Sequence, residues 1–574
     1  MTPTATTETG RPPGLLTLID QCLAEQSDLS AVERFSSRHD AGLLPEAGRW
    51  RDLLPATGPG PGQQYGFEVD LDSCTGCKAC VTACRSLNGL DEDESWRTVG
   101  VLHGGGLSGP GAAGLAPVPG GSHLQTVTTT CHHCVEPACL SGCPVDAYEK
   151  HPITGIVHHL DDQCIGCGYC TFTCPYDVPR FNPARGIVRK CDMCSGRLTA
   201  GEAPACAQAC PNGAIRVVVV DQAEARARAV ADGGLVPGAP PSSLTTPTTR
   251  YRSARSLPAD MAPASRFALR PSERHWPLAV MLVLTQLSAG AFGADLALRA
   301  LAGQGVAATL RPANALVALG LGLVALAASI LHLGRPLQAW RAVIGLRHSW
   351  LSREIVAFSA FATLAFAYAG AVWVGPDRTG AMVDGLGYLV ALAGAAGVGC
   401  SVMIYAVTRR VWWRAGRTAI RFALTATACG LATTLATTLA SALARGGHEG
   451  ARVAGDVGFP LALLVAGAVT LKLTWEITFL AGGGGHIEDL QRSAALLRGP
   501  ELGDLTRWRF GLGLVGGVAL PLAIAALCGA TEPSLSLATA LAVPAAALVV
   551  AAELCERAGF FAAVTSPSMP RELP

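Results

Sequence analysis

The stretch "CHHCVEPACLSGCP", residues 131–144, brings four cysteines and two histidines close together in the chain. Runs of this kind occur in zinc sites, in disulfide frameworks, around reactive thiols and in iron–sulfur cluster sites. The stretch alone leaves these four possibilities open. The rest of the chain decides between them, because most of its 21 cysteines lie in related stretches.

Four cysteine quartets follow one another between residues 74 and 210. Their spacings are C-x2-C-x2-C-x3-C, then C-x2-C-x4-C-x3-C-P, then C-x2-C-x2-C-x3-C-P, and finally C-x2-C-x11-C-x3-C-P. Structural zinc sites use two pairs of ligands separated by a longer loop, and they give no reason for the additional cysteines. The pattern is that of iron–sulfur proteins, and it predicts four [4Fe–4S] clusters. The sixteen predicted ligands are Cys74, Cys77, Cys80, Cys84, Cys131, Cys134, Cys139, Cys143, Cys164, Cys167, Cys170, Cys174, Cys191, Cys194, Cys206 and Cys210.

The last cysteine of each quartet is expected to serve a neighbouring cluster. In two-cluster ferredoxins three cysteines hold one cluster, and the fourth, which precedes proline, ligates the other. His132 and His133 lie inside the second quartet, which is complete without them, so we expect histidines that are solvated or that lie near a cluster without binding it. The exchange rule groups Cys74, Cys77 and Cys80 with Cys210; Cys191, Cys194 and Cys206 with Cys84; Cys131, Cys134 and Cys139 with Cys174; and Cys164, Cys167 and Cys170 with Cys143.

The net charge argues against a nucleic-acid-binding protein, and the first residues argue against an exported, disulfide-bonded protein. The formal net charge of +1 gives no indication of nucleic-acid binding. The opening residues "MTPTATTETGRPPGLLTLID" show neither the basic and apolar regions of an export signal nor a twin-arginine pair. We therefore expect no export signal, and this expectation disfavours a disulfide framework, which needs an oxidising compartment.

The composition divides the chain into four regions. Residues 1–65 are expected to form a helical or disordered arm, with capping-box spacing at Ser30 and Glu33, that is either a surface helical pair or a docking arm. Residues 66–221 form the cysteine-rich domain, and residues 222–275, rich in Pro, Ser, Ala and Arg, are expected to be an extended linker. Residues 276–574 contain about eight apolar segments that are long enough to cross a bilayer. The predicted fold is an α+β double-ferredoxin-like [4Fe–4S] domain followed by an all-α eight-helix transmembrane bundle.

Both halves of the chain resemble subunits of the dimethyl sulfoxide reductase family of molybdenum enzymes. The stretches "CTGCKACVTAC", "CHHCVEPACLSGCP", "CIGCGYCTFTCPYDVPRF" and "KCDMC…ACAQACPNGAI" are similar to its four-cluster iron–sulfur subunit. The stretches "SILHLGRPLQAWRAVIGLRHSWLSREI" (329–355) and "AAELCERAGFF" (551–561) are similar to its membrane anchor, which has eight helices and oxidises quinol. The resemblance implies a fusion of two subunits, and it implies a separate partner, the catalytic subunit with its molybdopterin cofactor.

The resemblance also indicates where a quinone would bind. His332 lies in "LHLGRP", in the segment similar to the quinol-binding region, where an imidazole could hydrogen-bond a quinone oxygen and exchange its proton. The alternative is a histidine at a helix end in the membrane interface. Arg335 and Glu354 are weaker candidates, because they could pair with each other or with lipid headgroups. Lys472 and Glu476 lie one turn apart in an apolar segment, and they are either functional or a mutually neutralising pair.

Arginines in the predicted loops indicate the orientation in the membrane. The loops after the second, fourth and sixth apolar segments are basic, and the opposite loops carry fewer arginines, which predicts a cytoplasmic cysteine-rich domain on the bacterial inner membrane. The best-known members of the family carry their clusters in the periplasm, exported on a twin-arginine partner. A periplasmic position of the cysteine-rich domain therefore stays open as the alternative. Asp295 is expected at the membrane interface. The arginines of the basic loops are Arg335, Arg341, Arg347, Arg409, Arg410, Arg414, Arg417, Arg492, Arg498 and Arg507.

Together these features predict an electron-transfer and membrane-anchor subunit that does not itself act on the substrate. Electrons would pass from membrane quinol through four clusters to a molybdopterin subunit that reduces an S- or N-oxide in anaerobic respiration. One alternative reverses the flow, from a cytoplasmic molybdopterin dehydrogenase of the sulfite or formate type to quinone. A second alternative is a redox-sensing membrane scaffold.

Overall fold

The computed structural model describes residue 33 and residues 52–92, 94–104, 123–302, 304–374, 380–482, 487–530 and 534–571. Most of the arm expected at residues 1–65, including the capping residue Ser30, lies outside these ranges. The rest of the described chain forms a cysteine-rich domain and a helical bundle that contact each other.

The cysteine-rich domain consists of short strands and helices arranged as two three-stranded sheets and two hairpins among the described residues. One sheet has the order β8-β1-β9, in which β1 pairs antiparallel with β8 and parallel with β9. The other has the order β10-β2-β3, and β4-β5 and β6-β7 form the hairpins. The strands are β1 Gln63–Asp70, β2 Thr98–Gly104, β3 His123–Thr129, β4 Tyr148–Lys150, β5 Val157–His159, β6 Arg180–Asn182, β7 Ile187–Arg189, β8 Ile215–Asp221, β9 Arg250–Arg252 and β10 Ala262–Pro263.

Six short helices connect these strands, and five of them begin within a cysteine quartet. The apolar residues that pack between the elements are few, and they include cysteines themselves: Phe67 and Val217 of the first sheet share a core with Cys80 and Cys206. Such a small core fits a domain that is built around prosthetic groups. The helices are α1 Ala79–Asn88, α2 Ala138–Gly142, α3 Tyr169–Thr173, α4 Ser195–Thr199, α5 Ala205–Gln208 and α6 Gln222–Ala231.

Much of the segment expected to be an extended linker, 222–275, is folded into the cysteine-rich domain. It begins with α6, which Asp221 caps by accepting hydrogen bonds from the amides of Ala223 and Glu224. It then supplies β9, which pairs with β1, and β10, which pairs with β2. The expectation of an extended linker is therefore wrong for these parts of the segment, because long-range strand pairing overrides the local Pro- and Ser-rich composition.

Eight helices among the described residues are long and apolar enough to cross a membrane. The predicted eight-helix bundle is thereby confirmed, and the alternating ends of the helices place the loops after the second, fourth and sixth spans beside the cysteine-rich domain. A shorter helix, α13, lies between the sixth and seventh spans. The bundle helices are α7 Trp276–Ala302, α8 Gln304–Ile330, α9 Trp350–Val374, α10 Ala381–Ala406, α11 Ala415–Arg445, α12 Gly447–Gly482, α13 Glu488–Arg498, α14 Gly503–Cys528 and α15 Leu535–Ala562.

Small residues allow the central helices to approach closely. A Cβ atom on Gly430 of α11 would lie 2.3 Å from the carbonyl carbon of Gly290 on α7. A Cβ atom on Gly290 would in turn lie 1.9 Å from the carbonyl oxygen of Ala426. No larger residue fits at this crossing, which is the backbone-to-backbone packing that holds helices together where lipid surrounds them.

The charged residues inside the bundle do not pair as neighbours along one helix. Lys472 pairs with Glu553 of α15, and Glu476 accepts two hydrogen bonds from Arg509 of α14, at 3.0 and 2.9 Å. The interpretation of Lys472 and Glu476 as a mutually neutralising pair is therefore wrong. Asp295 is buried and accepts a hydrogen bond from Tyr368 at 2.7 Å, and its position at the membrane interface stays a prediction.

After α15 the chain returns to the cysteine-rich domain. Met569 is fully buried there against Leu102 and Val127, which belong to the sheet of β2 and β3. Arg571 pairs with Asp177 at 2.8 Å. We call residues 564–571 the C-terminal tail; it ties the end of the bundle to the other domain.

Candidate cluster sites and the domain interface

The sixteen motif cysteines all carry free thiols, and the structure gathers them into four groups. One cavity is lined by Cys74, Cys77, Cys80 and Cys210, and another by Cys131, Cys134, Cys139 and Cys174. In the remaining two groups the thiols lie within electrostatic range of one another. The groups are site A (Cys74, Cys77, Cys80, Cys210), site B (Cys84, Cys191, Cys194, Cys206), site C (Cys131, Cys134, Cys139, Cys174) and site D (Cys143, Cys164, Cys167, Cys170).

These are the same sets that the exchange rule predicts: three cysteines of one quartet and the fourth of another. Among the described residues no three His, Cys, Asp or Glu side chains converge closely enough to hold a single metal ion. At sites A and C the thiols instead surround a cavity, which fits a group larger than one ion. The donor set of four thiols at each of the four sites is the one that [4Fe–4S] clusters use.

Left-handed residues between the cysteines turn each loop so that its thiols converge. In the third quartet these are Gly166 and Gly168, with φ of 70° and 68°. A side chain at Gly166 would be strained, and its Cβ would also lie 2.3 Å from the carbonyl oxygen of Gly186. In the fourth quartet Met193 and Cys194 take the same conformation, with φ of 60° and 50°.

Backbone amides around the cysteines point at the sulfur atoms. Gly166 N donates to Cys164 Sγ at 3.4 Å, and Met193 N donates to Cys191 Sγ at 3.3 Å. Ala147 N donates to Cys143 Sγ at 3.3 Å. Such hydrogen bonds stabilise negative charge on sulfur, and in cluster proteins they tune the reduction potential.

The four sites lie in the order A, B, C, D, and one side chain bridges each successive pair. Arg97 lies between sites A and B, within electrostatic range of Cys80 and Cys206. Lys190 lies between sites B and C, and although its burial opposes a charge, the neighbouring thiolates raise its pKa. Tyr148 lies between sites C and D, within range of Cys139 and Cys170. Site D is the end of this row that lies against the bundle.

His132 and His133 are both almost fully buried, so the expectation of solvated loop histidines is wrong. His132 Nδ1 is hydrogen-bonded to Thr249 Oγ1 at 2.9 Å, and His133 Nδ1 accepts a hydrogen bond from the amide of Val157 at 3.1 Å. Both histidines line the cavity of site C. They therefore take the other predicted position, next to a cluster site.

Backbone contacts attach site D to the loop after the second span. The amide of Gly334 donates to the carbonyl of Gly166 at 3.2 Å, and a Cβ on Gly334 would lie 2.1 Å from the carbonyl oxygen of Gly186. His348 Nε2 donates to the carbonyl of Cys143 at 3.0 Å, and Ser349 Oγ donates to that of Gly142 at 2.7 Å. The loops on both sides of site D are thus held by the bundle.

Aromatic side chains fill the space between site D and the bundle. Tyr169, which lies between Cys167 and Cys170, donates its hydroxyl hydrogen to the carbonyl of Ile404 on α10 at 2.9 Å. Phe172 contacts Trp413 and His275 edge to face, with ring centroids 5.5 and 5.2 Å apart. No loop or lipid layer therefore separates site D from the bundle at these contacts.

The three predicted quinone contacts occupy different surroundings. His332 is largely buried, which lowers its pKa to about 4, and its Nδ1 has no hydrogen-bond partner among the described residues. Arg335 donates to the carbonyl of Asp161 at 2.6 Å and so holds the cysteine-rich domain. Glu354 is buried and accepts a hydrogen bond from Ser401. Arg335 and Glu354 do not pair with each other: their partners are on different elements.

Sequence reasoning missed the residues that attach the two domains. Tyr169, Phe172, His348 and Ser349 are neither acidic nor basic at neutral pH in the predicted pattern and are not cluster ligands. Their function depends on contacts across more than a hundred residues. One signal was available, because His348 and Ser349 lie in the stretch 329–355 that resembles the anchor subunit. A search for polar residues next to the basic loops would have found both.

The comparisons with known proteins match the two halves of the chain separately. A family profile described as a 4Fe-4S dicluster domain matches residues 122–220, and one described as the DMSO reductase anchor subunit matches residues 272–562. The second match covers about half of the whole chain.

Relatives of the cysteine-rich half are subunits of two kinds of oxidoreductase. The chain is 34% identical over 185 residues to the B subunit of the anaerobic dimethyl sulfoxide reductase of Haemophilus influenzae, which is 32% of this chain and 87% of the relative. For the corresponding Escherichia coli subunit the identity is 35% over 159 residues, 28% of this chain and 75% of the relative. The formate dehydrogenase iron–sulfur subunit of Haemophilus influenzae is 37% identical over 153 residues, 26% of this chain and 49% of the relative.

The two matches lie side by side on one polypeptide, with the iron–sulfur part first and the eight apolar helices of the anchor part after it. The chain therefore belongs to the dimethyl sulfoxide reductase family, as a multi-pass membrane protein in which the iron–sulfur electron-transfer subunit and the membrane anchor subunit are fused.

Proposed function

We propose that this chain carries electrons between a membrane quinol and a separate molybdopterin-containing catalytic subunit. The contact of site D with the bundle is the observation that carries the proposal, because it brings one end of the row of sites to the membrane. Sites A, B, C and D would each hold one [4Fe–4S] cluster, four in all, through the sixteen motif cysteines. When bound, such clusters accept and donate single electrons.

The partner is inferred from the relatives. Their names describe them as parts of dimethyl sulfoxide reductase and formate dehydrogenase, so the substrate reaction belongs to another subunit of the complex. Site A lies at the end of the row that is remote from the bundle, and we propose that the catalytic subunit docks there. The fused arrangement would then connect quinol at one end to the catalytic subunit at the other.

His332 is the residue we assign to proton exchange with the quinol. With a pKa lowered to about 4, its imidazole is neutral at physiological pH and can accept a hydrogen bond from a quinol hydroxyl. Its neighbour His275 contacts Phe172, which lies in the site D quartet between Cys170 and Cys174. Glu354 remains a candidate, since it lies within electrostatic range of Tyr169. We assign Arg335 to domain attachment instead, because its guanidinium donates a hydrogen bond to the carbonyl of Asp161.

The direction of electron flow is proposed from quinol to the catalytic subunit, which would reduce an S- or N-oxide in anaerobic respiration. The dimethyl sulfoxide reductase relatives support this direction, because the chain covers most of their length. The reverse direction, from a dehydrogenase to quinone, is supported by the formate dehydrogenase relatives, of which the chain covers about half. We retain the reverse direction as the second candidate function.

The proposed domain boundaries follow from the strand pairing. β9 and β10 belong to the cysteine-rich domain, so we propose that this domain extends to about residue 263 and that the connection to the bundle is short. We also propose that the bundle lies in the bacterial inner membrane with the cysteine-rich domain on its cytoplasmic side.

The test is reduction of the clusters by a menaquinol analogue in the purified chain, followed by electron paramagnetic resonance. The His332→Ala variant should lose roughly 10²- to 10⁴-fold in rate, the usual contribution of a positioned acid or base. His448→Ala is the matched control, since His448 is exposed at the opposite end of the bundle. Both variants should be reduced fully by dithionite, which shows that their clusters are assembled.

Three results would contradict the proposal at different points. Clusters that no quinol analogue reduces in the wild-type chain would overturn electron transfer from quinol. Rates that are equal in His332→Ala and in the wild type would overturn the assignment of His332 alone. Fewer than four clusters by iron content and spectroscopy would overturn the ligand assignment.

A further inference from the structure

A cavity that is partly open to the surface lies in the second half of the bundle, between α11, α12, α14 and α15. His332, Glu354 and the second and third spans take no part in it. Its lining includes Trp412, which precedes α11, and Phe560, near the end of α15. The cavity therefore lies at the ends of the helices that face the cysteine-rich domain.

The walls of the cavity are aromatic. They include Trp412, Trp475, Phe479, Phe510 and Phe560. Trp475, Phe479 and Phe510 are only partly buried, so the cavity opens between α12 and α14 onto the surface of the bundle. In a bundle that crosses a membrane such an opening would face lipid, and a ligand from the bilayer could enter there.

Two buried charged groups in the lining have unused hydrogen-bonding atoms. Arg421 and Glu556 face each other, with Nε and Oε1 3.0 Å apart, and both residues are at least nine-tenths buried. Arg421 Nη1 and Glu556 Oε2 have no hydrogen-bond partner among the described residues, and the charge nearest Oε2 is Arg557 Nη2 at 3.5 Å. A buried donor and a buried acceptor left open in this way are costly unless a ligand completes them.

The unused atoms select the chemistry of the ligand. Arg421 Nη1 donates and Glu556 Oε2 accepts, so the ligand must offer an acceptor and a donor to the same corner of the cavity. An anionic lipid headgroup satisfies Arg421 but is repelled by Glu556. A hydroquinone ring offers hydroxyl groups that do both, and its flat face suits the aromatic walls.

We propose that this cavity is a second binding site for a quinone-type ring, separate from the site at His332. The proposal rests on the proposed function in one respect, since it assumes that a membrane quinone serves the anchor. The ring would lie among the aromatic walls with one oxygen at Arg421 and Glu556, and its isoprenoid tail would leave through the opening between α12 and α14.

Aromatic contacts connect the cavity to the domain interface. Phe560 of the cavity contacts Trp413, with ring centroids 5.6 Å apart, and Trp413 contacts Phe172 of the cysteine-rich domain at 5.5 Å. The proposed second site thus borders the same interface as His332 but approaches it through different helices. A ring in this cavity would be adjacent to site D and not in a remote part of the bundle.

The test is photolabelling of the purified full chain in phospholipid nanodiscs with an azidoquinone that carries a short alkyl tail. We expect the label on peptides from the ends of α12 and α15, in addition to any label near His332. Leu505→Trp fills the cavity and leaves the charged residues in place, and Glu556→Gln removes the open carboxylate. Each should decrease labelling of these peptides about tenfold, whereas the control Arg452→Gln, exposed at the other end of α12, should not.

Iron content and gel filtration identify any variant that fails to fold. If Leu505→Trp fails to fold, Glu556→Gln still tests the proposal. Label found only near residues 331–354 would overturn the second site and leave the proposed function intact. Label on α12 and α15 that survives in both variants would also overturn it. Absence of label everywhere, together with no cluster reduction by quinol, would overturn the proposed function as well.

Discussion

Gly334 shows how one residue of the anchor-like stretch serves the attachment of two domains. The motif "LHLGRP" suggests a role for its histidine, yet its glycine packs backbone to backbone against the cysteine-rich domain. A Cβ on Gly334 would lie 2.1 Å from the carbonyl oxygen of Gly186 and 2.5 Å from its carbonyl carbon. Both partners are main chain, so neither can rotate away, and any side chain at this position must separate the domains.

We therefore expect Gly334→Ala to impair quinol-driven reduction while all clusters still assemble. A displacement of site D from the bundle should lower the rate by roughly tenfold or more, which corresponds to about 1.4 kcal/mol in the activation free energy. Stopped-flow reduction by a menaquinol analogue measures this rate. Gly399→Ala is the matched control, because a Cβ there would meet nothing within 4 Å. Equal rates in both variants would show that the contact is unimportant.

The buried ion pairs of the bundle make a second prediction at the scale of single residues. Glu553 is the shared partner of Lys472 and of Arg509, which lies 3.0 Å from it. Glu553→Gln leaves two cations with less compensation, whereas Lys472→Met leaves Glu553 paired with Arg509. Removal of one partner from a buried pair costs about 3–5 kcal/mol, so Glu553→Gln should be the more destabilising change.

Thermal unfolding in detergent, followed by aggregation or by fluorescence, would rank these variants. Arg452→Gln provides the control, since its pair with Asp456 is largely exposed and such pairs contribute about 0–1 kcal/mol. A larger loss of stability in Lys472→Met than in Glu553→Gln would contradict the shared-partner arrangement.

Among the elements, the C-terminal tail has the clearest structural role. Met569 is buried beneath β2 and β3, and a Cβ on Gly100 of β2 would lie 2.2 Å from the amide nitrogen of Arg571. At the other end of the tail, Thr565 donates to the carbonyl of Asp489 on α13 at 2.6 Å. The tail is therefore a strap between α13, the last span and the cysteine-rich domain.

We expect Met569→Ala to release this strap, with a loss of about 2–5 kcal/mol in local stability, the usual range for a buried methionine. Hydrogen exchange of β2, β3 and the tail, read by mass spectrometry, would measure the loss. Exchange in the bundle helices serves as the internal control and should not change. Protection of β2 and β3 that equals the wild type would exclude a stabilising role for the tail.

The tail also has a predictable pH dependence through Asp177. Burial opposes its charge, but the guanidinium groups of Arg571 and Arg410 lower its pKa below the ordinary value. The pKa of Asp177 is lower in the folded state than in the unfolded state. The carboxylate therefore stabilises tail attachment above about pH 4, and this stabilisation is lost as the pH falls through the pKa of the folded state. Tail protection should be constant from pH 8 to pH 6 and fall below pH 4. In Asp177→Asn the carboxylate-dependent part of that fall should be absent.

The same elements show where the local sequence pattern failed to predict the secondary structure. The segment 222–275 is rich in Pro and Ser, which predicts extended chain, but Arg250–Arg252 pairs with β1 through main-chain hydrogen bonds that no local pattern reveals. The apolar helices were predictable, because a bilayer requires each of them to be long and apolar by itself. Strand pairs in the cysteine-rich domain have no such local requirement.

For the whole molecule, the sequence predicts sites that depend on spacing and misses contacts that depend on the arrangement of helices. The four predicted groups of cysteines follow from the exchange of fourth ligands, a rule that depends on the spacing of cysteines within each quartet. The partners of Lys472 and Glu476 lie on α15 and α14, and only packing of the bundle brings them together. Tyr169 and Phe172 likewise contact α10 and the loop that precedes α11.

Orientation in the membrane is a property of the whole chain, and the structure changes the basis on which it is predicted. Arg335, Arg341 and Arg410 belong to the basic loops, but each binds the cysteine-rich domain, at Asp161, Asp162 and Asp177. Part of the arginine excess therefore attaches the domains and carries no information on sidedness. Exposed arginines such as Arg507 still favour a cytoplasmic domain under the positive-inside rule.

Labelling of single introduced cysteines in intact cells with a membrane-impermeant maleimide would decide the side. Arg507→Cys lies in the seventh span at the end that faces the cysteine-rich domain, and Arg452→Cys lies at the opposite end of the bundle; both side chains are about four-fifths exposed. With a cytoplasmic domain, Arg452→Cys reacts from outside and Arg507→Cys reacts only after permeabilisation. The opposite pattern would place the cysteine-rich domain, and with it the catalytic partner, in the periplasm. It would also show that the arginine excess in these loops comes mainly from residues that bind the cysteine-rich domain and not from the positive-inside rule.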